Sequence, residues 1–105
     1  MNKGPDIEVG FEFNGERKGY IFSGYRPAHL ITECYLTTGI HHYYGSGIVP
    51  PNGTAEGTIT FLTPEAYPHC LWIGKRIVIQ EGERVVGYAT VKHIYNKLLE
   101  KSDDA

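Results

Sequence analysis

Five histidines offer the most obvious chemistry in this sequence, because imidazole is a common metal ligand. They are His29, His41, His42, His69 and His93. His41 and His42 are adjacent, so on a strand their rings point to opposite faces and cannot hold one ion. The other three lack the short spacings of zinc ligands. The pattern therefore predicts surface or satisfied core histidines and no metal site.

The other reactive side chains also predict no catalytic residues. Cys34 and Cys70 have neither a helix start nor an obvious base beside them, so a nucleophilic thiol has little support. Glu81 and Glu83 flank a glycine at a predicted hairpin tip, where carboxylates are usually solvated and not tuned as an acid and a base. The chain has no glycine-rich phosphate loop with its lysine and no G-x-S-x-G elbow. We expect neither enzymatic activity nor a cofactor.

Composition narrows the class of protein further. The chain has 105 residues, which favours one domain, and its 10 basic and 12 acidic residues give a net charge of −2. This balance does not favour nucleic acid overall, although it allows a local patch. No apolar run is long enough for a membrane span, and no signal peptide is recognisable. Cys34 and Cys70 then indicate reduced thiols of a cytoplasmic protein, with a disulfide between them as the alternative.

The segments that must position any site are predicted to be short strands. Alternating apolar residues and β-branched composition predict them over 7–13, 28–37, 40–49, 54–63, 75–80 and 84–95. Gly39 is expected to interrupt the second and third, and Tyr67 and Trp72 to be exposed in a loop over 64–73. Residues 1–95 are thus predicted to form one all-β sandwich or barrel domain, followed by a polar C-terminal tail over 96–105.

The segment GYRP, residues 24–27, separates two of these strands. Gly24 can take backbone angles that other residues avoid, and Pro27 fixes its own φ and cannot donate to a ladder. These two residues are therefore predicted to shape a turn. Tyr25 and Arg26 remain free to serve either the fold or a partner.

Three segments in order resemble the third, C-terminal domain of elongation factor Tu. They are SGYRPAHLITECYLTTG at 23–39, NGTAEGTITFLTP at 52–64 and GKRIVIQEGERVVGYATVKHI at 74–94. In that family, a G-Y-R-P segment leads into a strand that ends in Thr-Gly, and the last hairpin has an Arg-Glu-Gly-Gly-Arg turn. The resemblance covers residues 7–95 and implies an all-β fold, a six-stranded antiparallel β-barrel. It also implies a link to translation.

The departures from this family limit what the resemblance implies. The GTP-binding domain and the second barrel are absent from the chain, so we expect neither binding nor hydrolysis of GTP. Ala28 stands where the family has a glutamine that contacts aminoacyl-tRNA, and it offers no side-chain hydrogen bond. Gln80 and Glu83 replace an arginine and a glycine of the last turn, which weakens any phosphate contact.

Two binding functions remain from the sequence. The first is a non-catalytic module that contacts a protein partner or a second copy of itself, with anchors at Tyr25, Arg26, Tyr43, Tyr44 and Trp72. The alternative is an RNA-contacting accessory module, or a separate subunit or fragment of a translational GTPase. Its contact residues are Arg26, Thr37, Lys75, Arg76, Glu81, Gly82 and Arg84. In either case Gly87 is predicted to lie where strands approach closely.

Overall fold

The computed structural model describes residues 4–32 and 35–101. Its strands are β1 (Ile7–Phe13), β2 (Ile21–Phe22), β3 (Ala28–Thr32), β4 (Tyr35–Tyr43), β5 (Ile48–Val49), β6 (Thr54–Phe61), β7 (Arg76–Glu81) and β8 (Arg84–Ile94). Two single-turn 3-10 helices follow strands, at Pro64–Ala66 and Lys97–Leu99. Across these residues no helix is long and apolar enough to cross a membrane.

Six of the strands close into an antiparallel barrel, in the order β1-β6-β4-β3-β7-β8. The barrel closes where β8 pairs with β1, from Ile94 opposite Ile7 to Gly87 opposite Phe13. The remaining strands, β2 and β5, pair with each other as a separate two-stranded ribbon. The predicted all-β, six-stranded antiparallel barrel is therefore confirmed.

Alternation of buried and outward-facing residues along β1 and β7 supplies much of the core. On β1, Ile7, Val9, Phe11 and Phe13 are buried, while the residues between them face outward or are partly exposed. The same period on β7 buries Ile77 and Ile79. Because successive side chains of a strand point to opposite faces, β1 and β7 supply the barrel interior with every second residue.

Gly39 lies inside a strand and does not interrupt one, so the predicted strand boundaries at 28–37 and 40–49 are wrong. The structure ends β3 at Thr32, and β4 then runs through Gly39 to Tyr43. A Cβ added to Gly39 would lie 2.7 Å from Cγ2 of Ile59 and 2.9 Å from Cε1 of His29. The glycine is there to make room for these inward side chains.

Gly87 lies in a close strand contact, as its position predicted. It is buried on β8, and an added Cβ would come within 2.5 Å of the backbone oxygen of Glu12 on β1. Gly57 is crowded still more tightly by the backbone of His42, which the sequence did not indicate.

The segment after β8 packs against the loop between β6 and β7. Leu99 is completely buried, and its carbonyl accepts a hydrogen bond from the backbone N of Leu71 at 2.8 Å. The prediction that Tyr67 is exposed in that loop is wrong, because its ring packs against Phe61 and is 6% exposed. The segment therefore continues the fold at least to Lys101, and the rest of the predicted tail, 102–105, lies outside the described residues.

Candidate functional site

The turn at residues 24–27 is held against β4 by backbone hydrogen bonds. Gly24 has a φ of 100°, the left-handed conformation that favours glycine. Its N donates to the carbonyl of His41 at 2.7 Å, and the N of His41 donates to the carbonyl of Tyr25 at 2.9 Å. Pro27 is buried. The backbone that carries Tyr25 and Arg26 is therefore fixed on the barrel wall.

Tyr25 binds the barrel's own carboxylate, Glu81, at the end of β7. The Tyr25 hydroxyl donates to Oε2 of Glu81 at 2.5 Å, and Nη1 of Arg17 donates to the same oxygen at 2.7 Å. Cζ of Arg17 also lies 4.7 Å from the centroid of the Tyr25 ring, and Nη2 of Arg84 lies 3.5 Å from Oε1 of Glu81. We call these four residues the Glu81 cluster.

The Glu81 cluster is a structural arrangement in which one carboxylate binds two guanidinium groups and a hydroxyl. The hydrogen bond from Tyr25, helped by the charge of Arg17, holds the pKa of Glu81 below its ordinary value. Burial, followed by the bond to Glu81, raises the pKa of the Tyr25 hydroxyl. The carboxylate therefore stays ionised, and it ties the loop before β2 to the β7–β8 turn.

Arg26 differs from the arginines of that cluster. Its side chain is exposed, and within the described part of the chain it forms no hydrogen bond and no ion pair. Arg17 and Arg84, by contrast, both bind Glu81. Five guanidinium donors thus face solvent from a backbone that does not move freely.

An apolar patch lies at the β2–β5 ribbon, which leads into the turn that carries this arginine. Tyr20, Phe22 and Ile48 are 59%, 58% and 46% exposed, and Phe22 and Ile48 are partners across the ribbon. The carbonyl of Phe22 accepts from the N of Tyr25 at 3.1 Å, so the patch adjoins the turn. We call these three residues the ribbon patch. The sequence did not indicate them, because two-residue strands give no periodic signal.

The five predicted partner anchors do not form one surface. Tyr43 is 1% exposed and faces the barrel interior, so its prediction as an anchor is wrong. Tyr44 is exposed on the outer wall, where its hydroxyl donates to Oε2 of Glu8 at 2.7 Å. Trp72 is 45% exposed but lies at the opposite end of the barrel from Tyr25 and Arg26. We call the two ends the GYRP end and the Trp72 end.

The predicted RNA contacts divide in the same way. Thr37 is buried, and its Oγ1 lies 3.1 Å from the hydroxyl of Tyr67, so its prediction as an RNA contact is wrong. Lys75 and Arg76 lie where β7 begins, at the Trp72 end. The others, Arg26, Glu81, Gly82 and Arg84, lie at the GYRP end. The five steps along β7 from Arg76 to Glu81 separate the groups by roughly 17 Å at about 3.3 Å per residue.

A chain of buried polar groups runs through the barrel interior. Nδ1 of His29 lies 3.2 Å from the carbonyl of Thr37, Nε2 of His29 lies 2.7 Å from Nε2 of His41, and Nδ1 of His41 lies 2.8 Å from the Tyr43 hydroxyl. A carbonyl only accepts, so Nδ1 of His29 donates and its Nε2 accepts from His41. His41 in turn accepts from Tyr43. One arrangement of protons satisfies every group, with both imidazoles neutral.

Burial shifts the pKa values of the two histidines in this series of hydrogen-bonded groups. It lowers the pKa of His29 to about 4, and burial together with the nearby His29 lowers the pKa of His41 well below its ordinary value. His42, the next residue, is exposed, as the alternation of a strand requires. The alternation of β3 and β4 was the signal that could have placed His29, His41 and Tyr43 together.

The described residues include no group of three or more metal-ligating side chains that could hold an ion. The thiol of Cys70 donates to the carbonyl of Tyr67 at 2.9 Å, and burial raises its pKa. Cys34, and with it the disulfide alternative, lies outside the described residues. No protein-family model matches this sequence.

Proposed function

We propose that this chain is a non-catalytic binding module that holds a protein partner at the GYRP end. The observation that carries the proposal is the contrast among three neighbouring arginines. Glu81 binds Arg17 and Arg84, whereas Arg26 is exposed and unpaired within the described chain. An arginine retained for the fold would bind carbonyls or a carboxylate of its own barrel.

The composition around Arg26 favours a protein over a polyanion. The ribbon patch supplies apolar area, and the exposed guanidinium of the adjoining turn matches a carboxylate of a partner. Nearby Glu16, Glu81 and Glu83 counter the basic residues of this end, so no broad positive field develops. We infer a partner surface with apolar side chains and at least one acidic residue.

The proposal includes a relationship to the third domain of elongation factor Tu. The GYRP segment and the last hairpin carry that resemblance, and the closed six-stranded barrel is compatible with it. This relationship would associate the partner with translation. A shared fold does not imply a shared activity, so the relationship supports the fold more strongly than any function.

Matched arginine variants test the proposal. Arg26→Ala and the parent are used as baits in parallel affinity purifications, with and without ribonuclease, and each retained protein is then titrated. We expect Arg26→Ala to leave the melting temperature unchanged and to weaken the binding of the partner by about 1–2 kcal/mol or more. Arg17→Ala is the control, because loss of its bond to Glu81 lowers stability instead.

Two outcomes would contradict the proposal. If the two baits retain the same proteins with the same affinity, Arg26 does not contribute to an interface. If retention disappears with ribonuclease, the RNA alternative is favoured. A concentration-dependent dimer in sedimentation that Arg26→Ala dissociates would instead identify a second copy of the chain as the protein partner.

A further inference from the structure

Three cations at the Trp72 end lie over aromatic rings. Nζ of Lys75 is 4.3 Å from the centroid of the Trp72 ring, and Nζ of Lys101 is 5.3 Å from it. Cζ of Arg76 is 3.7 Å from the centroid of the Tyr88 ring. None of the three forms an ion pair within residues 4–32 and 35–101. We call these five residues the cation–aromatic strip.

Most other basic residues of the described chain have carboxylate partners. Arg17 and Arg84 bind Glu81, Lys92 lies 3.1 Å from Glu56, and Lys97 lies 3.7 Å from Glu100. In a chain with a net charge of −2, the strip therefore concentrates cations that no carboxylate neutralises. Such a concentration favours an anionic ligand.

The fold arranges the strip as a track along the barrel. Leu71 pairs with the segment after β8, and the N of Lys101 donates to the carbonyl of Leu71 at 2.7 Å, which brings Lys101 to Trp72. Arg76 begins β7, opposite Thr90 of β8, and leans over Tyr88 of the same strand. The track thus begins at the barrel end and continues along the outer wall.

We propose that the cation–aromatic strip binds single-stranded nucleic acid. The three cations leave the rings and bind phosphates. Bases then stack on the exposed rings of Trp72 and Tyr88. An exposed cation–ring contact is worth about two- to fivefold in an equilibrium constant. Base stacking on an aromatic side chain is worth roughly five- to hundredfold, so the exchange favours the bound nucleic acid.

The geometry disfavours other anionic partners. A bilayer is flat and would meet Trp72 at the barrel end without reaching Tyr88 on the wall. An acidic peptide would satisfy the cations but leave the two rings unused. An extended chain that alternates phosphates with flat bases matches both the charges and the rings. This inference is independent of the protein partner proposed for Arg26.

The single tryptophan of the chain makes the test direct. Purified protein is titrated with an oligothymidylate of about ten nucleotides, within the usual range of single-strand site sizes. We expect saturable quenching of Trp72 fluorescence, because a base stacks on its ring. The logarithm of the binding constant should fall with the logarithm of salt concentration with a slope of about −2, for three phosphate contacts.

Variants, followed by the anisotropy of a labelled oligonucleotide, assign the contacts. Trp72→Ala should weaken binding about tenfold, while Trp72→Phe keeps a ring and most of the affinity. Lys75→Ala should flatten the salt slope by about 0.7. Lys97→Ala is the matched control, since this lysine already pairs with Glu100. Arg26→Ala should leave this affinity unchanged.

Several results would overturn the proposal. Quenching that does not saturate would show that there is no specific site. Equal losses of affinity for Trp72→Phe and Trp72→Ala would show that no base stacks on the ring. Polyglutamate that competes as well as the oligonucleotide indicates an acidic protein ligand instead. Binding to phosphatidylserine vesicles, with none to the oligonucleotide, indicates a lipid surface. A loss caused by Arg26→Ala as large as that caused by Lys75→Ala places the binding at the GYRP end.

Discussion

Acid should destabilise this barrel through its two interior histidines, before its carboxyl groups titrate. His29 and His41 must both be neutral for every donor of the buried chain to meet an acceptor. A proton added to Nε2 of His29 would face the N–H of His41, and a buried charge would lack an acceptor.

The sign and size follow from the direction of the pKa shifts. Both folded-state pKa values lie below the ordinary value of 6.5, so the unfolded chain takes up protons first as the pH falls. The stability contribution is complete above about pH 6.5 and is lost as the pH falls towards 4. Between about pH 6.5 and 5, protonation of each histidine in the unfolded chain should lower the unfolding free energy by about 1.6 kcal/mol, and the pair should lower it by about 3 kcal/mol. A domain has only about 5–15 kcal/mol in total.

Urea unfolding followed by far-ultraviolet circular dichroism measures this loss at several pH values. His29→Gln should roughly halve the slope of unfolding free energy against pH, because one titrating group is removed and an amide can still donate and accept. His42→Gln is the matched control, since that ring is exposed on the outer face. An unfolding free energy that stays within about 1 kcal/mol from pH 6.5 to 5 would refute the reasoning.

Three further changes test separate parts of the structure. Gly87→Val should cost about 1–3 kcal/mol, because its Cβ meets the backbone of Glu12; a melting temperature equal to the parent's would exclude this crowding. Tyr25→Phe should cost about 1–2 kcal/mol by removing the hydroxyl bonded to Glu81, and an unchanged unfolding free energy would mean that the bond contributes nothing. Leu99→Ala should cost about 2–5 kcal/mol, because the side chain is completely buried; a neutral result would show that residues after β8 are dispensable.

Local periodicity predicted much of this fold. The bounds of β1 match the prediction, and those of β6, β7 and β8 differ from it by at most two residues at either end. The adjacency of His41 and His42 correctly put them on opposite faces. Gly39 misled the assignment because a glycine that makes room for a neighbouring side chain looks the same in sequence as one that breaks a strand.

The site depended on contacts that are distant in sequence. In the sequence, the adjacent residues Tyr25 and Arg26 could each serve the fold or a partner. Their roles differ because Glu81, 56 positions after Tyr25, binds only Tyr25 of the two. Arg17 reaches the same carboxylate across 64 positions. No local sequence pattern indicates such a pairing. The sequence could therefore identify the turn, but it could not assign different roles to Tyr25 and Arg26.

The pairing of β1 with β8 has a consequence for how the chain folds during synthesis. These are the first and last strands of the barrel, and their register runs from Ile7 opposite Ile94 to Phe13 opposite Gly87. Contacts so far apart in sequence form slowly, because a long loop must close first. On a ribosome, β1 and β7 would each present an unpaired edge until β8 has emerged, and such edges recruit other chains. We therefore expect nascent chains that end before β8 to need chaperone protection, and completion of β8 to end that need.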